Sequence, residues 1–228
     1  MNTTRPNSLA ATLDAVNEAF FYGRRLSKSQ REDAAEWIAG RQGKPGAYAG
    51  MFAPTAVDMK DSLVLFTGER VVTGGGARHI LGEEACRALI LLDVRQAAVR
   101  DALEQASRGM MGRLVKAREG EHGIYCCGRC SVALWRHLAV GGLAEADPER
   151  WLRVGIGLLK SHRDGRGRWR RFPYYYTLLA LSEIGLPTAT AEMRYAAPSC
   201  ERYLKRRAAR GKHAQRRRDL SELILAKC

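Results

Sequence analysis

Three cysteines crowd one short stretch, Tyr125-Cys126-Cys127-Gly128-Arg129-Cys130, where a helical pattern begins. Cys127 and Cys130 have the two-residue gap that zinc knuckles use, and a helix N-terminus lowers the pKa of a thiol placed on it. A closed zinc site needs a fourth ligand, for which His122, His162 and Cys200 are the candidates. The expectation is therefore a Zn site on Cys126, Cys127, Cys130 and His162, weighed against cysteines that simply pack between helices. Asp58 and Asp61 lie three apart, which puts them on one helical face near an expected N-terminus. They are candidate acids, or carboxylates that merely stabilise a helix start. His79 and Glu83 are four apart and suit a shared metal, although an ordinary exposed pair is the favoured reading. In Tyr174-Tyr175-Tyr176 the three rings cannot all face inward from one helix.

The charge is lopsided. Of a net +14, residues 1–110 contribute +1 from 14 basic and 13 acidic residues, while residues 111–228 contribute +13 from 24 and 11. Arg194 to Cys228 alone holds 11 basic residues against 3 acidic. Lys205, Arg206, Arg207, Arg210, Lys212, Arg216, Arg217 and Arg218 are candidates to neutralise phosphates, and equally to be solvated helix faces or to dock on acidic surface elsewhere in the protein. The chain thus divides into a helical domain over residues 1–193 and a basic helical extension over 194–228, packed on that domain or trailing from it. Removing Tyr203 onward is expected to weaken polyanion binding more than it harms folding.

Helices must position these groups. Leu9, Leu13, Val16 and Phe20 repeat at helical spacing over about residues 8–22, and Ser27 or Ser29 opens a second helix with a capping box. A third helix is expected after Pro54-Thr55, carrying Val57, Leu63, Val64 and Phe66 and stopping at Gly68. Gly74-Gly75-Gly76 should break the chain before a helix over 77–92. Asp93, with Gln96 three on, should cap a fifth helix that runs to about residue 117. Further helices are expected near 128–140, 148–162, 173–184, 188–209 and 214–226. No segment alternates over six residues, so the fold class is all-α, with about 8–10 helices and no sheet. The longest aliphatic run, residues 88–92, is too short to span a bilayer. No export signal precedes the cysteines, and a cytoplasmic protein is expected.

Three turns read alike: residues 41–48 (Arg-Gln-Gly-Lys-Pro-Gly-Ala-Tyr), 118–125 (Arg-Glu-Gly-Glu-His-Gly-Ile-Tyr) and 163–169 (Arg-Asp-Gly-Arg-Gly-Arg-Trp). Each joins two expected helices, and its aromatic, Tyr48, Tyr125 or Trp169, is placed to seal the gap between helix pairs. A helix, a glycine-aromatic turn and a second helix at this period resemble the repeats of the prenyltransferase and squalene/terpene cyclase superfamily. The resemblance covers about residues 27–186. It implies an α/α toroid of antiparallel helix pairs, reduced or open at this chain length, with inner helix ends around an apolar cavity. Trp169, Tyr48, Tyr125, Tyr174 and Tyr175 would then face a ligand, and Asp58, Asp61, Cys130 and Tyr176 would be the catalytic candidates. The family's usual residues are only partly present. Gly128-Arg129-Cys130 has glycine where the protein prenyltransferases place a zinc-binding Asp, and Tyr176 stands where their His belongs. Asp58-Met59-Lys60-Asp61 departs from the Asp-x-Asp-Asp of the cyclases. Neither family reaction is expected in its usual form.

Two functions follow. One is binding, with or without conversion, of an apolar or isoprenoid-like small molecule in a central cavity. The other is a non-enzymatic helical module whose basic C-terminus engages nucleic acid or an acidic protein. A deep apolar pocket ringed by Asp58, Cys130 and Tyr176 would favour the first, and a filled centre with arginines gathered on one outer face the second.

Overall fold

The structure is a computed structural model that describes residues 3–117, 124–207 and 209–228. Among the described residues it is helical: α1 (Leu9–Phe21), α2 (Lys28–Ala39), α3 (Gly74–Leu92), α4 (Ala97–Ala117), α5 (Gly128–Ala139), α6 (Pro148–Leu159), α7 (Tyr174–Glu183), α8 (Pro187–Leu204) and α9 (Lys212–Ala226). A two-stranded antiparallel ribbon, β1 (Leu63–Val64) with β2 (Arg70–Val71), interrupts them. None of the described helices is long and apolar enough to cross a membrane.

Three helices form the interior. The residues from Ile80 to Leu89 of α3, Cys130 to Leu138 of α5 and Tyr176 to Ser182 of α7 are buried without a break, so no face of these segments reaches water. α5 packs between α3 and α7. Around them α1, α2 and α4 lie on α3, α6 lies on α5, and α8 and α9 lie on α7 and on each other. The outer helices bury only one stripe each, as with Leu9, Leu13 and Val16 of α1 or Leu152, Ile156 and Leu159 of α6.

Several local expectations hold. Ser27 accepts from Gln30 N (3.2 Å) while its own N–H donates to Gln30 Oε1 (2.9 Å), a closed capping box. The first and third glycine turns share a design: each is closed by an isolated antiparallel bridge, Gln42 with Phe52 and Arg163 with Trp169. Their glycine pairs, Gly43 and Gly46, then Gly165 and Gly167, all sit at positive φ, which a side chain would oppose. Residues 118–123 of the second turn, His122 included, lie outside the described residues.

Others are corrected. No helix follows Pro54: Leu63 and Leu65 point inward and Val64 outward, the two-residue period of a strand, and Val57 is exposed. On α1 the inward aromatic is Phe21, which meets Phe66 edge-on, while Phe20 is exposed. Gly74-Gly75-Gly76 form the first turn of α3 under a Thr73 cap instead of breaking the chain. Asp93 closes α3 in the left-handed conformation and does not open α4. The boundary expected at residue 193 falls inside α8, and the basic extension packs on the domain, one of the two arrangements expected for it.

Asp58 is also reassigned. It caps α1 from a distance in sequence, accepting from Leu9 N (2.9 Å), Ala10 N (3.1 Å), Ser8 Oγ (2.5 Å), Thr55 N (2.8 Å) and Thr55 Oγ1 (2.9 Å). A carboxylate so engaged has no lone pair to spare for acid chemistry. Asp61 is exposed at a surface depression shared with Lys212 and His213. Asp58→Ala should leave the Leu9 N–H buried without an acceptor and cost about 1–3 kcal/mol, read as a lowered midpoint in urea, whereas Asp61→Ala should leave the midpoint in place.

Candidate metal and anion sites

The cysteine cluster is built where α5 starts. Cys127 is the N-cap, and Ser131 pins the preceding loop by accepting from Tyr125 N (2.8 Å) and donating to the Tyr125 and Cys127 carbonyls. The pinned loop holds Cys126 at φ 63. Cys127 and Cys130 sulfurs lie 3.5 Å apart, with Cys127 exposed and Cys130 buried. The Cys130 thiol beside it brings Cys127 down to about 5 against partial burial, helped by the N–H groups of Cys130 and Arg129 and by the Arg129 charge. The hydrogen bond with Cys127, together with burial, pushes Cys130 far up. All six cysteines are thiols, with no disulfide among them.

The histidine that joins this cluster comes from α3. One ring nitrogen of His79 and the sulfurs of Cys126 and Cys130 all lie within 4.8 Å of one another. His79 is 1% exposed. Its ring stacks on Tyr48 (centroids 4.2 Å apart, 13° between planes) and meets Tyr125 edge-on at 5.1 Å. The two tyrosine hydroxyls hydrogen bond at 2.6 Å. The aromatics of the first two glycine turns thus close over one buried imidazole. Behind it, Glu83 Oε1 stands 3.4 Å from His79 Nε2, and Glu83 Oε2 is 2.7 Å from His137 Nδ1. The His79–Glu83 pair is therefore interior, not the exposed pair the four-residue spacing suggested. His162 and Cys200 take no part: His162 packs edge-on against Phe172, and Cys200 pairs with the Tyr174 hydroxyl at 3.5 Å.

Between the inner helices lies charge. Arg136 of α5 pairs with Glu84 of α3 and, at 2.8 Å, with Glu183 of α7, which also takes Arg87 of α3 at 2.7 Å. Asn17 of α1 donates to Glu84 (3.1 Å) and accepts from Arg87 (2.7 Å) and Arg136 (3.1 Å). The Tyr176 hydroxyl donates to Glu84. Burial raises the Glu84 pKa, but Arg136 and Arg87 outweigh it and hold the carboxyl below its ordinary value. Tyr176 is pushed well up by burial and by the Glu84 charge, which keeps it a neutral donor.

The other tyrosines part company. Tyr174 reaches Cys200, and Tyr175 packs on Tyr203 and under Arg217. Trp169 donates to Glu192 at 2.8 Å. The N-terminus of α7 is already taken, since Glu69 Oε1 accepts from Tyr175 N and Tyr176 N at 2.8 and 3.0 Å. Asp58–Asp61, the cysteines and Tyr174–Tyr176 consequently have separate surroundings and do not form one mouth.

The basic C-terminus splits in two. Arg216 is buried, paired with Asp14 (2.7 and 3.0 Å) and Glu18 (2.6 Å) and lying over Phe66, while Arg217 donates to the Thr67 carbonyl at 2.6 Å. Lys212 reaches Asp14 and Arg218 reaches the Leu204 carbonyl. These four serve the fold. Lys205, Arg206, Arg207 and Arg210 are exposed, and among the described residues none is ion-paired. Arg206 opens onto a depression of about 720 Å³, continuous with solvent, lined by Asp164, Arg166, Arg168, Ser199, Arg202, Tyr203 and Arg206. Its one acid is turned to local use: Asp164 Oδ1 accepts from Arg166 N (2.8 Å), Arg168 N (3.0 Å) and the Tyr195 hydroxyl (3.1 Å). Arg166, Arg168 and Arg202 are not among the sequence candidates: the first two lie in the third glycine turn, where the glycines carry the pattern, and Arg202 is a single arginine on α8 that only the fold brings to them.

No protein-family model matches this chain, and no curated protein or solved structure matches it either.

Proposed function

We propose that this protein is a helical nucleic-acid-binding module that grips the phosphate backbone at the arginine depression between the third glycine turn and α8. The observation that carries this reading is the convergence of Arg166, Arg168, Arg202 and Arg206 on one open depression whose only acid is engaged by its own turn. Guanidinium groups match phosphate oxygens with paired donors, and four such groups around one concavity favour a polyanion over a neutral ligand. Tyr203 on the same wall offers a ring on which a base can stack. An isoprenoid-like ligand would need an apolar lumen, and the ion network between α3, α5 and α7 speaks for the surface instead. Sequence-specific readout is not part of the proposal.

The test is binding to labelled single-stranded and duplex oligonucleotides across a salt series. Each phosphate neutralised contributes about −0.9 to the log–log salt slope on duplex and about −0.7 on single strands. Arg166→Ser with Arg206→Ser should therefore flatten the duplex slope by about 2 and weaken affinity at least tenfold at low salt, whereas Arg100→Ser on exposed α4 should change neither. Equal slopes for the double variant and the parent would overturn the reading. Tighter binding to a poly-glutamate peptide than to either oligonucleotide would move the assignment to an acidic protein partner.

A further inference from the structure

We propose that the start of α5 and the middle of α3 are tied together by one Zn²⁺ ion, held by His79, Cys126, Cys127 and Cys130. Three independent features of the geometry point there. The first is donor convergence: a ring nitrogen of His79 and the sulfurs of Cys126 and Cys130, about fifty residues away, lie within 4.8 Å of one another, with His79 and Cys130 buried and Cys126 exposed. With metal–sulfur bonds of about 2.3 Å and metal–nitrogen bonds of about 2.0 Å, tetrahedral ligand atoms stand about 3.5–3.8 Å apart, so closing His79, Cys126 and Cys130 on one ion needs a contraction of about 1 Å. Cys127 and Cys130, at 3.5 Å, already have that separation.

The second feature is the state of His79. It is 99% buried, yet neither ring nitrogen has a hydrogen-bond partner. Leaving a buried polar group unsatisfied is costly, and the one imidazole nitrogen that faces the thiol sulfurs is satisfied by a metal far better than by the sulfurs themselves. The third is the support behind the ring. A metal-bound histidine ordinarily turns its second nitrogen to a carboxylate, and Glu83 stands 3.4 Å from His79 Nε2, itself fixed by His137 at 2.7 Å. A metal drawing His79 toward the sulfurs would act through Nδ1 and leave Nε2–H to Glu83. Thiolates with one imidazole select zinc over magnesium or calcium, which take oxygen.

On binding, three Zn–S bonds and one Zn–N bond replace the ion's waters, and the protons still held by the sulfurs pass to solvent. The site then carries −1, with the α5 N-terminus and Arg129 close by to offset it. Tyr48 and Tyr125 roof the ion. The nucleic-acid reading does not depend on it.

The experiment uses the full chain, purified without chelator from zinc-supplemented cells. Elemental analysis should give one Zn per chain, falling below about 0.2 in Cys130→Ser and in His79→Gln, with Cys228→Ser unchanged. Because those variants change the interior, the parent protein supplies a second readout. Exchange with Co²⁺ should produce the intense visible bands of tetrahedral cobalt and the near-ultraviolet sulfur-to-cobalt charge transfer, both abolished by added Zn²⁺. A metal-free parent that shows only the weak spectrum of hydrated Co²⁺ overturns the proposal. So does mild oxidation that joins Cys127 to Cys130 as readily in zinc-supplemented protein as in chelated protein.

Discussion

Removing Lys212–Cys228 is expected to abolish the cooperative fold rather than merely strip the protein of positive charge. α9 is the segment that composition most readily marks as a dispensable tail, yet it packs on α7 and α8 and buries Leu220 and Ile224 completely. Each such side chain contributes about 1.5–3 kcal/mol by leaving water. The loss does not stop there. Arg216 is the common partner of Asp14 and Glu18 on α1, and its guanidinium lies 4.0 Å from the centre of the Phe66 ring while donating to the Phe66 carbonyl at 3.1 Å. Its departure, with that of Lys212, leaves Asp14 without a paired cation among the described residues and Glu18 with Arg24 alone, and it uncovers the hairpin. Against a total stability of about 5–15 kcal/mol for a domain of this kind, these losses are decisive. Circular dichroism should show lost thermal cooperativity in the truncated chain, while Lys205→Ser, Arg207→Ser and Arg210→Ser together should keep the transition and reduce polyanion binding. A truncated chain that melts like the parent would mean that α9 is an appendage after all.

What could be read from the residues was local. The capping box at Ser27 and Gln30, the glycine turns and all nine described helices, each to within a few residues of its ends, announce themselves in neighbouring residues. The ribbon at Leu63–Val71 escaped because two-residue strands leave too few positions for a period. Asp58 escaped because its work is done on α1, about fifty residues earlier. The candidate metal cluster was half legible. Cys126, Cys127 and Cys130 stand out by spacing, but their partner from α3 does not. Arg78, His79, Glu83, Glu84 and Arg87 look like the wet face of an amphipathic helix. Four of them, His79, Glu83, Glu84 and Arg87, are buried at 6% exposure or less, because the polar faces of α3 and α5 cover each other. That pairing is a property of two helices, and neither shows it alone. The one available signal was the uniformity of α5: Arg136 and His137 sit amid an otherwise apolar run from Val132 to Leu138, where a solvated face has no room.

Arg136→Met tests that interior charge most directly and should cost about 3–5 kcal/mol at neutral pH, the range for breaking a buried ion pair by removing one partner. Methionine fills much of the same volume, so the penalty is electrostatic: Arg87 remains to serve Glu183, and Glu84 is left charged in the interior with only neutral donors and a more distant cation. The pH dependence separates this from a packing defect. In the parent, Glu84 is held below its ordinary 4.5, so its contribution to stability is fully present above that value and is lost as pH falls through the depressed folded value. In the variant the cation that outweighed desolvation is gone and burial dominates, which moves the Glu84 pKa upward. Protonation then relieves the variant above 4.5, before the parent begins to lose the contribution of its ionised Glu84 below that value. The difference in unfolding free energy between parent and variant should shrink as pH falls from 7 toward 4, as far as the parent stays folded. Glu84→Gln combined with Arg136→Met should recover much of the loss at pH 7, since an amide needs no counter-charge and still accepts from Tyr176. A gap that stays constant from pH 7 to pH 4, together with a double variant no more stable than Arg136→Met, would assign Arg136 to shape alone and leave the charge between α3, α5 and α7 without an energetic role.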